Sequence, residues 1–397
     1  MIPIAPKRQD LAVPNSLGIF RKFGPVRTLA FISWIGILAV HAQTSNVKRD
    51  QTIVFFPAIA HRAHETNMWE LGIRGCVYEF DRRLLELAAL HEALEFKHVE
   101  MTPSELATFK DRARLFLVDN KGGRRVCVRI GDKVYPMNKS KANGHFSGTV
   151  RLTEEQMSRS RNAHAGGRIE FEALTKDGRV FKGSAELMDD DGISVISDID
   201  DTIKITEVLH RHECLRHTFL EPFKPVPGMA EAYQAWAGKP GVLFHYVSAS
   251  PWQLYFPLTE FVQSNGFPQG VFELKTFRLK DRTFMSLFES PEIYKLHTIE
   301  PMLKQFPKRH FVLVGDSGER DPEAYATLAR RYPAQVSHIF IRNITGEGPD
   351  APRFRKDFAG LPDTQWTVFK DPQELRAWWM PIRTEEPSDQ KWGIIRE

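Results

Sequence analysis

The sequence predicts an α/β fold with a parallel sheet, preceded by a mainly β, sandwich-like domain. Between residues 191 and 380, short apolar runs alternate with helical stretches, the pattern of parallel strands joined by crossover helices. Two of these runs stop in acidic residues: Ile193–Ser197 before Asp198-Ile199-Asp200-Asp201-Thr202, and His310–Gly315 before Asp316. Strands buried on both faces read as continuous apolar runs, and open parallel sheets bind ligands at the carboxyl ends of their strands. Between residues 50 and 190, by contrast, several short segments alternate apolar and polar residues, as half-buried strands do.

The elements follow in order. Residues 1–42 carry five basic residues (Lys7, Arg8, Arg21, Lys22, Arg27) ahead of an apolar run from Leu29 to Val40, and Val40-His41-Ala42 offers small residues for cleavage. This reads as an export signal. The run is about a dozen residues, short of the roughly 20 that span a bilayer. The mature chain would begin near Gln43 in an exported or periplasmic location, with a retained membrane anchor as the alternative. Strands are expected at Thr52–Pro57, Trp69–Tyr78, Arg124–Ile130, His145–Leu152, Arg168–Leu174 and Arg179–Leu187, the last two joined by the turn Lys176-Asp177-Gly178-Arg179. Thr102-Pro103-Ser104-Glu105 is a capping box with proline at the first helical position, so a helix interrupts the strands. This region holds no constellation that points to chemistry.

In the region 191–380, strands are expected to end near Ser197, Ser248, Gly315 and Ile341, with another at Gly270–Lys275. Helices are expected over Gly228–Ala237 and Asp321–Tyr332. Thr367-Val368-Phe369 reads as a last strand before a capped helix, and residues 381–397 as a tail.

Acidic and basic residues nearly cancel, at 50 against 54, and the formal excess of +4 is no larger than the surplus in residues 1–42. A nucleic-acid partner is therefore not expected. Cys76, Cys127 and Cys214 form neither a metal spacing nor a paired framework. They read as small buried residues, with a Cys76–Cys127 disulfide left open for an exported chain.

Asp198 and Asp200 stand two apart at a strand exit. Carboxylates so close repel unless a cation lies among them or one keeps a proton. Such a pair suits a nucleophile, a general acid and a magnesium ion; the alternative is a solvated acidic loop. Three later segments complete the pattern: Val242–Ser248, an apolar run ending in a hydroxyl; Lys295 in Pro291-Glu292-Ile293-Tyr294-Lys295; and Asp316-Ser317-Gly318-Glu319-Arg320-Asp321. In this order they resemble the four motifs of the haloacid dehalogenase superfamily of phosphohydrolases. The strings SDIDDTIKIT, YVSASPWQLY and LVGDSGERDPEAY resemble the catalytic domain of the actin-patch-associated phosphatidate phosphatases, relatives of the lipins. The resemblance covers roughly residues 190–345 and, more weakly, the region before them.

The resemblance implies a haloacid-dehalogenase-like, Rossmannoid sheet and gives the residues roles. Asp198 is the nucleophile. Asp200 protonates the leaving oxygen, a role that needs it to hold a proton beside an ionised neighbour. Ser248 donates to a phosphate oxygen and Lys295 neutralises the phosphoryl group. Magnesium is ligated by Asp198, the backbone carbonyl of Asp200 and Asp316, with Asp321 acting through water or from outside. Thr202 braces the loop through its hydroxyl, Asp201 has no assigned role, and Ser250 is a candidate helix N-cap. No His/Cys cluster accompanies these carboxylates, which argues against zinc.

The expected function is magnesium-dependent hydrolysis of phosphatidate to diacylglycerol and phosphate through an aspartyl-phosphate. The alternatives are a phosphatase acting on a soluble phosphomonoester and a non-catalytic phosphatidate sensor; the full set Asp198, Asp200, Lys295 and Asp316 argues against the sensor. Peripheral membrane contact is expected from the Pro-rich loop Phe219–Pro227, whose prolines should keep it out of helices and sheets. A second contact is expected from Trp252, Leu254, Tyr255 and Phe256. Core packing of the same aromatics is the alternative.

Overall fold

The computed structural model describes residues 44–63, 66, 68–80, 84–96, 99–160, 167–276 and 291–378. The expected export segment at 1–42 and the tail at 381–397 lie outside the described residues.

A six-stranded, all-parallel sheet is built from Ile193–Ser197, Val242–Pro251, Gly270–Lys275, His310–Asp316, Val336–Arg342 and Trp366–Phe369. Numbered along the chain, the strands lie in the order 3-2-1-4-5-6. The direction of growth reverses between strands 1 and 4, which is where sheets of this order open a ligand crevice. Ser197 stands beside Tyr246 on one side and Val314 on the other, so Asp198 and Asp316 emerge from neighbouring strands at that crevice.

Both faces of this sheet are covered. Val195, Val312 and Val314 share a core with Met229, Ala232, Tyr233 and Trp236 of the helix Met229–Ala237. Those four fall at i, i+3, i+4 and i+7, one stripe of a helix. Ile196, Leu313 and Ile339 turn the other way, onto Ile299 and Leu303 of Pro291–Gln305 and Leu328 of Asp321–Arg331. Alternate strand residues face opposite sides, so every residue of Ile193–Ser197 is buried.

Residues 51–188 contain the other large sheet. Its nine strands form one hydrogen-bonded sheet rather than the two layers expected of a sandwich. The sheet curls on itself: Phe55 of Gln51–Phe56 meets Phe171 of Arg168–Leu174 edge-on at 5.1 Å, although three strands separate theirs in the sheet order. Gly183 leaves room for this approach, since a Cβ there would collide with the Phe171 ring. The strands Ala58–Arg62, Asp119–Asn120 and Lys133–Pro136 were not expected. The first continues across Pro57, and the other two are short.

The helical insertion has the expected capping box: Thr102 Oγ1 accepts from the Glu105 amide at 3.3 Å, and Glu105 accepts from the Thr102 amide at 2.8 Å. Apart from Leu115, which packs with Val54, Cys76 and Tyr78 of the first sheet, its apolar residues leave the β core. Leu90, Leu94, Phe96, Phe109, Ala113 and Phe116 enter the core of the parallel sheet, where they meet Leu215 and Phe219. Cys76 and Cys127 are both buried free thiols, so the disulfide left open is not formed.

Several of the side chains expected at a membrane are buried instead, while Phe256 stays exposed. Phe219 closes the helix Arg211–Phe219 and is 3% exposed, with its ring on Phe116. Leu220 is also buried, Phe223 packs edge-on against Phe261, and Lys224–Pro225 pairs with Lys204–Ile205 as a short two-stranded ribbon. The prolines direct this segment along the core instead of holding it away. Trp252 and Leu254 are buried too, and the Trp252 ring packs on Phe56 and His145 of the first sheet. Among the described residues no helix is long and apolar enough to cross a membrane.

His245 lies inside the second parallel strand, with Nε2 3.2 Å from Ser194 Oγ, which accepts from Arg309 Nε at 3.0 Å. Burial, reinforced by the Arg309 charge, pulls its pKa down to about 3. The folded chain thus keeps this imidazole neutral, while the unfolded chain protonates it below about pH 6.5. The stability from excluding that proton is present above about pH 6.5 and is lost as pH falls toward 3. Replacing His245 by Leu should therefore shift the melting-temperature difference from wild type in the variant's favour between pH 7 and pH 4. A pH-independent difference in thermal melts would contradict this.

Candidate active site

The Asp198 amide extends the strand ladder by donating to the Val314 carbonyl at 2.8 Å, and the chain then turns. Ile199 and Ile203, fully buried, anchor the turn in the core. Asp201 adopts a left-handed conformation with φ 52°, which a short acidic side chain tolerates. Its carboxylate gathers the amides of Thr206, Glu207 and Val208 at 2.8, 3.0 and 2.6 Å. Arg342 adds a hydrogen bond to the Asp201 carbonyl at 2.6 Å. Asp201, which had no role in the sequence reading, therefore organises the loop. Thr202 does not brace it: its hydroxyl is buried with no partner among the described residues.

Two charge networks meet at this turn. In the first, the Asp200 carboxylate contacts Lys204 Nζ at 2.7 Å and accepts from Thr206 Oγ1 at 2.9 Å, Ser248 Oγ at 3.1 Å and Ser250 Oγ at 2.9 Å. Burial opposes its ionisation, but Lys204 and the donors from Thr206 and Ser250 outweigh burial and bring the pKa to about 2. These partners favour the ionised form of Asp200, whereas the general-acid role expected of it needs a proton. Ser250 is likewise no helix cap: the second strand runs on to Pro251, and the hydroxyl serves Asp200.

The second network surrounds Lys295, which the helix Pro291–Gln305 carries fully inside the protein. Its ammonium lies 3.0 Å from Asp198 Oδ1 and 2.9 Å from Glu319, and it also binds Asp321. Asp316 Oδ1 accepts the amides of Gly318 and Glu319 at 2.6 and 3.1 Å, while Asp321 accepts the Asp316 amide at 3.1 Å. Gly315 permits this closure, because a Cβ there would collide with the Asp321 carboxylate.

One ammonium cannot balance the buried carboxylates of Asp198, Asp316 and Asp321 together with that of Glu319 at the cavity edge. Burial raises the Asp198 pKa well above the usual carboxylate range; Lys295 counteracts it, and Asp321, Glu319 and Asp316 add to it. Burial followed by repulsion from Asp321 and Glu319 does the same to Asp316. Burial opposes the charge on Lys295, but Asp198, Asp321 and Glu319 hold it firmly protonated. Asp198, Asp316 and Asp321 offer carboxylate oxygens that lie within 4.8 Å of one another. Asp198 Oδ2 and Asp316 Oδ2 are buried without a hydrogen-bond partner. An all-oxygen donor set with unsatisfied anionic atoms fits a hard divalent cation.

The structure thus brings Asp198, Lys295, Asp316 and Asp321 into one cluster and places Ser248 against Asp200 beside it. Asp321 binds Lys295 directly and belongs to the cluster instead of standing outside it. The Asp200 carboxylate is engaged elsewhere and is not part of the oxygen triad. The sequence reading missed Lys204, Thr206 and Glu319. Lys204 stands four residues after Asp200, a spacing that could have drawn attention, whereas Glu319 was legible only as one more acid in its loop.

A cavity of ≈ 790 Å³ opens beside the two networks. Asp200, Ser250 and Glu319 line it together with an apolar wall of Leu215, Phe219 and Leu254 and the ion-paired side chains of Arg320, Arg353, Glu323 and Asp357.

Fold and site together define an α/β domain with a parallel sheet covered on both faces and an acidic, oxygen-only centre at its switch point. Residues 193–343 match the family described as "Phosphatidate phosphatase APP1, catalytic domain". The chain is 38% identical over 164 residues to phosphatidate phosphatase APP1 of Saccharomyces cerevisiae, covering 41% of this chain and 27% of the yeast protein. It is 28% identical over 173 residues to an uncharacterized protein of Schizosaccharomyces pombe, covering 43% of this chain and 28% of that protein. The chain thus matches little more than a quarter of the length of either relative.

Asp201→Asn should destabilise the chain by about 1.5–3 kcal/mol, the scale of hydrogen bonds to a charged group, because an amide cannot replace a carboxylate that accepts from three backbone N–H groups. Urea unfolding measures this, and a change under about 0.5 kcal/mol, as at an ordinary surface position, would show that the loop does not depend on Asp201.

Proposed function

We propose that this chain is a magnesium-dependent phosphatidate phosphatase, with a haloacid-dehalogenase-like catalytic fold, that releases diacylglycerol and phosphate through an aspartyl-phosphate on Asp198. The observation that carries the reading is the placement of the Asp198 carboxylate: it is held by Lys295 at the switch point, next to a second carboxylate with its own hydroxyl donors, in a region that matches the APP1 catalytic-domain family. In the first step an Asp198 oxygen attacks phosphorus and the bond to the ester oxygen breaks. In the second, water attacks the same phosphorus and Asp198 is released. Lys295 offsets the charge of nucleophile and phosphoryl group together.

Asp200, ionised by Lys204 and its hydroxyl partners, is ready to take the proton of the attacking water. In the first step the leaving oxygen needs a proton, and a monoanionic phosphate monoester brings one that Asp200 relays. Ser248 and Ser250, now turned to Asp200, are placed to donate to a phosphate oxygen when substrate enters. Asp198, Asp316 and Asp321, with the backbone carbonyl of Asp200, would hold a magnesium ion, which supplies further charge neutralisation and orients phosphoryl oxygens when bound. The apolar wall of Leu215, Phe219 and Leu254 favours a substrate with a lipid tail over a small soluble ester.

Phosphate release from dioctanoyl phosphatidate in micelles, compared with release from soluble phosphate esters, tests the substrate assignment. Preference for a soluble ester would overturn it. Asp198→Asn should retain less than about a hundredth of wild-type turnover, since loss of general acid–base help alone costs ~10²–10⁴-fold; higher residual activity would refute the covalent step. Dialysis against a chelator should remove activity and leave circular dichroism unchanged, with magnesium restoring turnover. Full activity in metal-free buffer would exclude the cation.

A further inference from the structure

Leu215 and Phe219 of the cavity's apolar wall lie on the helix Arg211–Phe219, and this helix is held from outside the parallel-sheet region. Arg112, in the last turn of the insertion helix Pro103–Ala113, is 7% exposed and donates to the carbonyls of Thr218 at 2.6 Å and His217 at 3.3 Å. These are among the last carbonyls of a helix, which have no partner within it. The same guanidinium lies 3.8 Å from the centre of the Phe223 ring. A buried charge is costly unless its hydrogen-bonding capacity is used, and here it is used on the turn that carries Thr218 and Phe219 into the cavity lining. Three further contacts run from the insertion to the same helix: Glu105 to Arg216 at 2.9 Å, Glu95 to Arg211 at 2.8 Å, and the Phe116 ring to Phe219 at 5.6 Å.

We propose that Arg112 is a positioning residue for the substrate cavity, fixing the last turn of the helix Arg211–Phe219 so that its apolar face receives the non-reacting tail of the substrate. It does not touch the phosphoryl site, which is built from Asp198, Asp200, Lys295 and the acidic loop. The residue therefore sets affinity for the tail and leaves the chemical step alone. A lysine would keep the charge but lose the planar fork that serves two carbonyls and stacks on an aromatic ring. This inference rests on the proposed function for its substrate, not for its geometry.

The test uses the full chain and the variants Arg112→Met, Arg112→Lys and Glu105→Gln. Gln at position 105 preserves the capping box but removes the charge that holds Arg216. Binding of decylphosphonate and of methylphosphonate, which share a head group and differ in the tail, is measured by titration calorimetry together with a melting curve. Kinetics on dioctanoyl phosphatidate and p-nitrophenyl phosphate are measured in parallel. Arg112→Met should weaken decylphosphonate about tenfold and raise the KM for dioctanoyl phosphatidate by a similar factor. Methylphosphonate affinity and kcat should stay within about twofold of wild type. Arg112→Lys should recover part of the loss, and Glu105→Gln should show a shift of about two- to threefold in the same direction.

Equal loss for both phosphonates, or no loss for either, in a folded Arg112→Met would overturn the proposal. If Arg112→Met does not fold, Glu105→Gln decides by the same criterion. If wild type fails to turn over phosphatidate, the functional reading falls, while the two phosphonates still decide the role of Arg112.

Discussion

The fully buried carboxylates of Asp198, Asp316 and Asp321, and the partly exposed one of Glu319, are gathered around the buried ammonium of Lys295. Removing charges from water is expensive, and attraction within the protein offsets it only when the remaining polar atoms are also served. Much of the surrounding structure meets that requirement. The loop after strand 4 turns so that amides of residues 318 and 319 bind Asp316, and Gly315 lacks a side chain so that Asp321 can approach the Asp316 amide. The helix Pro291–Gln305 delivers the ammonium. The 3-2-1-4-5-6 order then makes the ends of strands 1 and 4 neighbours.

Beside this anionic cluster, Asp200 belongs to a different environment only two residues from Asp198. Burial dominates Asp198 and pushes its pKa up, whereas Lys204 and the hydroxyl donors overcome burial at Asp200 and pull its pKa down. Adjacent carboxylates whose surroundings separate their pKa values are suited to different parts of one reaction. A divalent cation would favour the ionised forms of Asp198, Asp316 and Asp321 together, leaving Lys204 to govern Asp200.

The insertion in the first sheet also acquires a place in this scheme. Its helices carry their apolar residues into the core of the parallel sheet, and its charged residues meet the helix Arg211–Phe219. Substrate contact and catalytic charge thus sit on different supports: the cavity wall is held through Arg112, and the reacting groups by strand ends.

The parallel strands, the capping box at Thr102–Glu105 and the positions of Asp198, Lys295 and Asp316 were legible in the chain because each has a local signature: a doubly buried apolar run, a capping spacing, or an ordered motif. Three-dimensional packing decided the rest. The aromatics at Phe219, Phe223 and Trp252 are compatible with either a membrane interface or a core, and only their neighbours Phe116, Phe261 and Phe56 place them inside. Alternation marked the β region but could not say whether its strands close as two layers or curl as one sheet, since both bury the same residues. Charge state was also beyond local pattern. Asp198 and Asp200 are the same residue type in the same motif, and their opposite shifts arise from Lys204, Ser250, Glu319 and Asp321, whose side chains converge on the site only when the chain is folded.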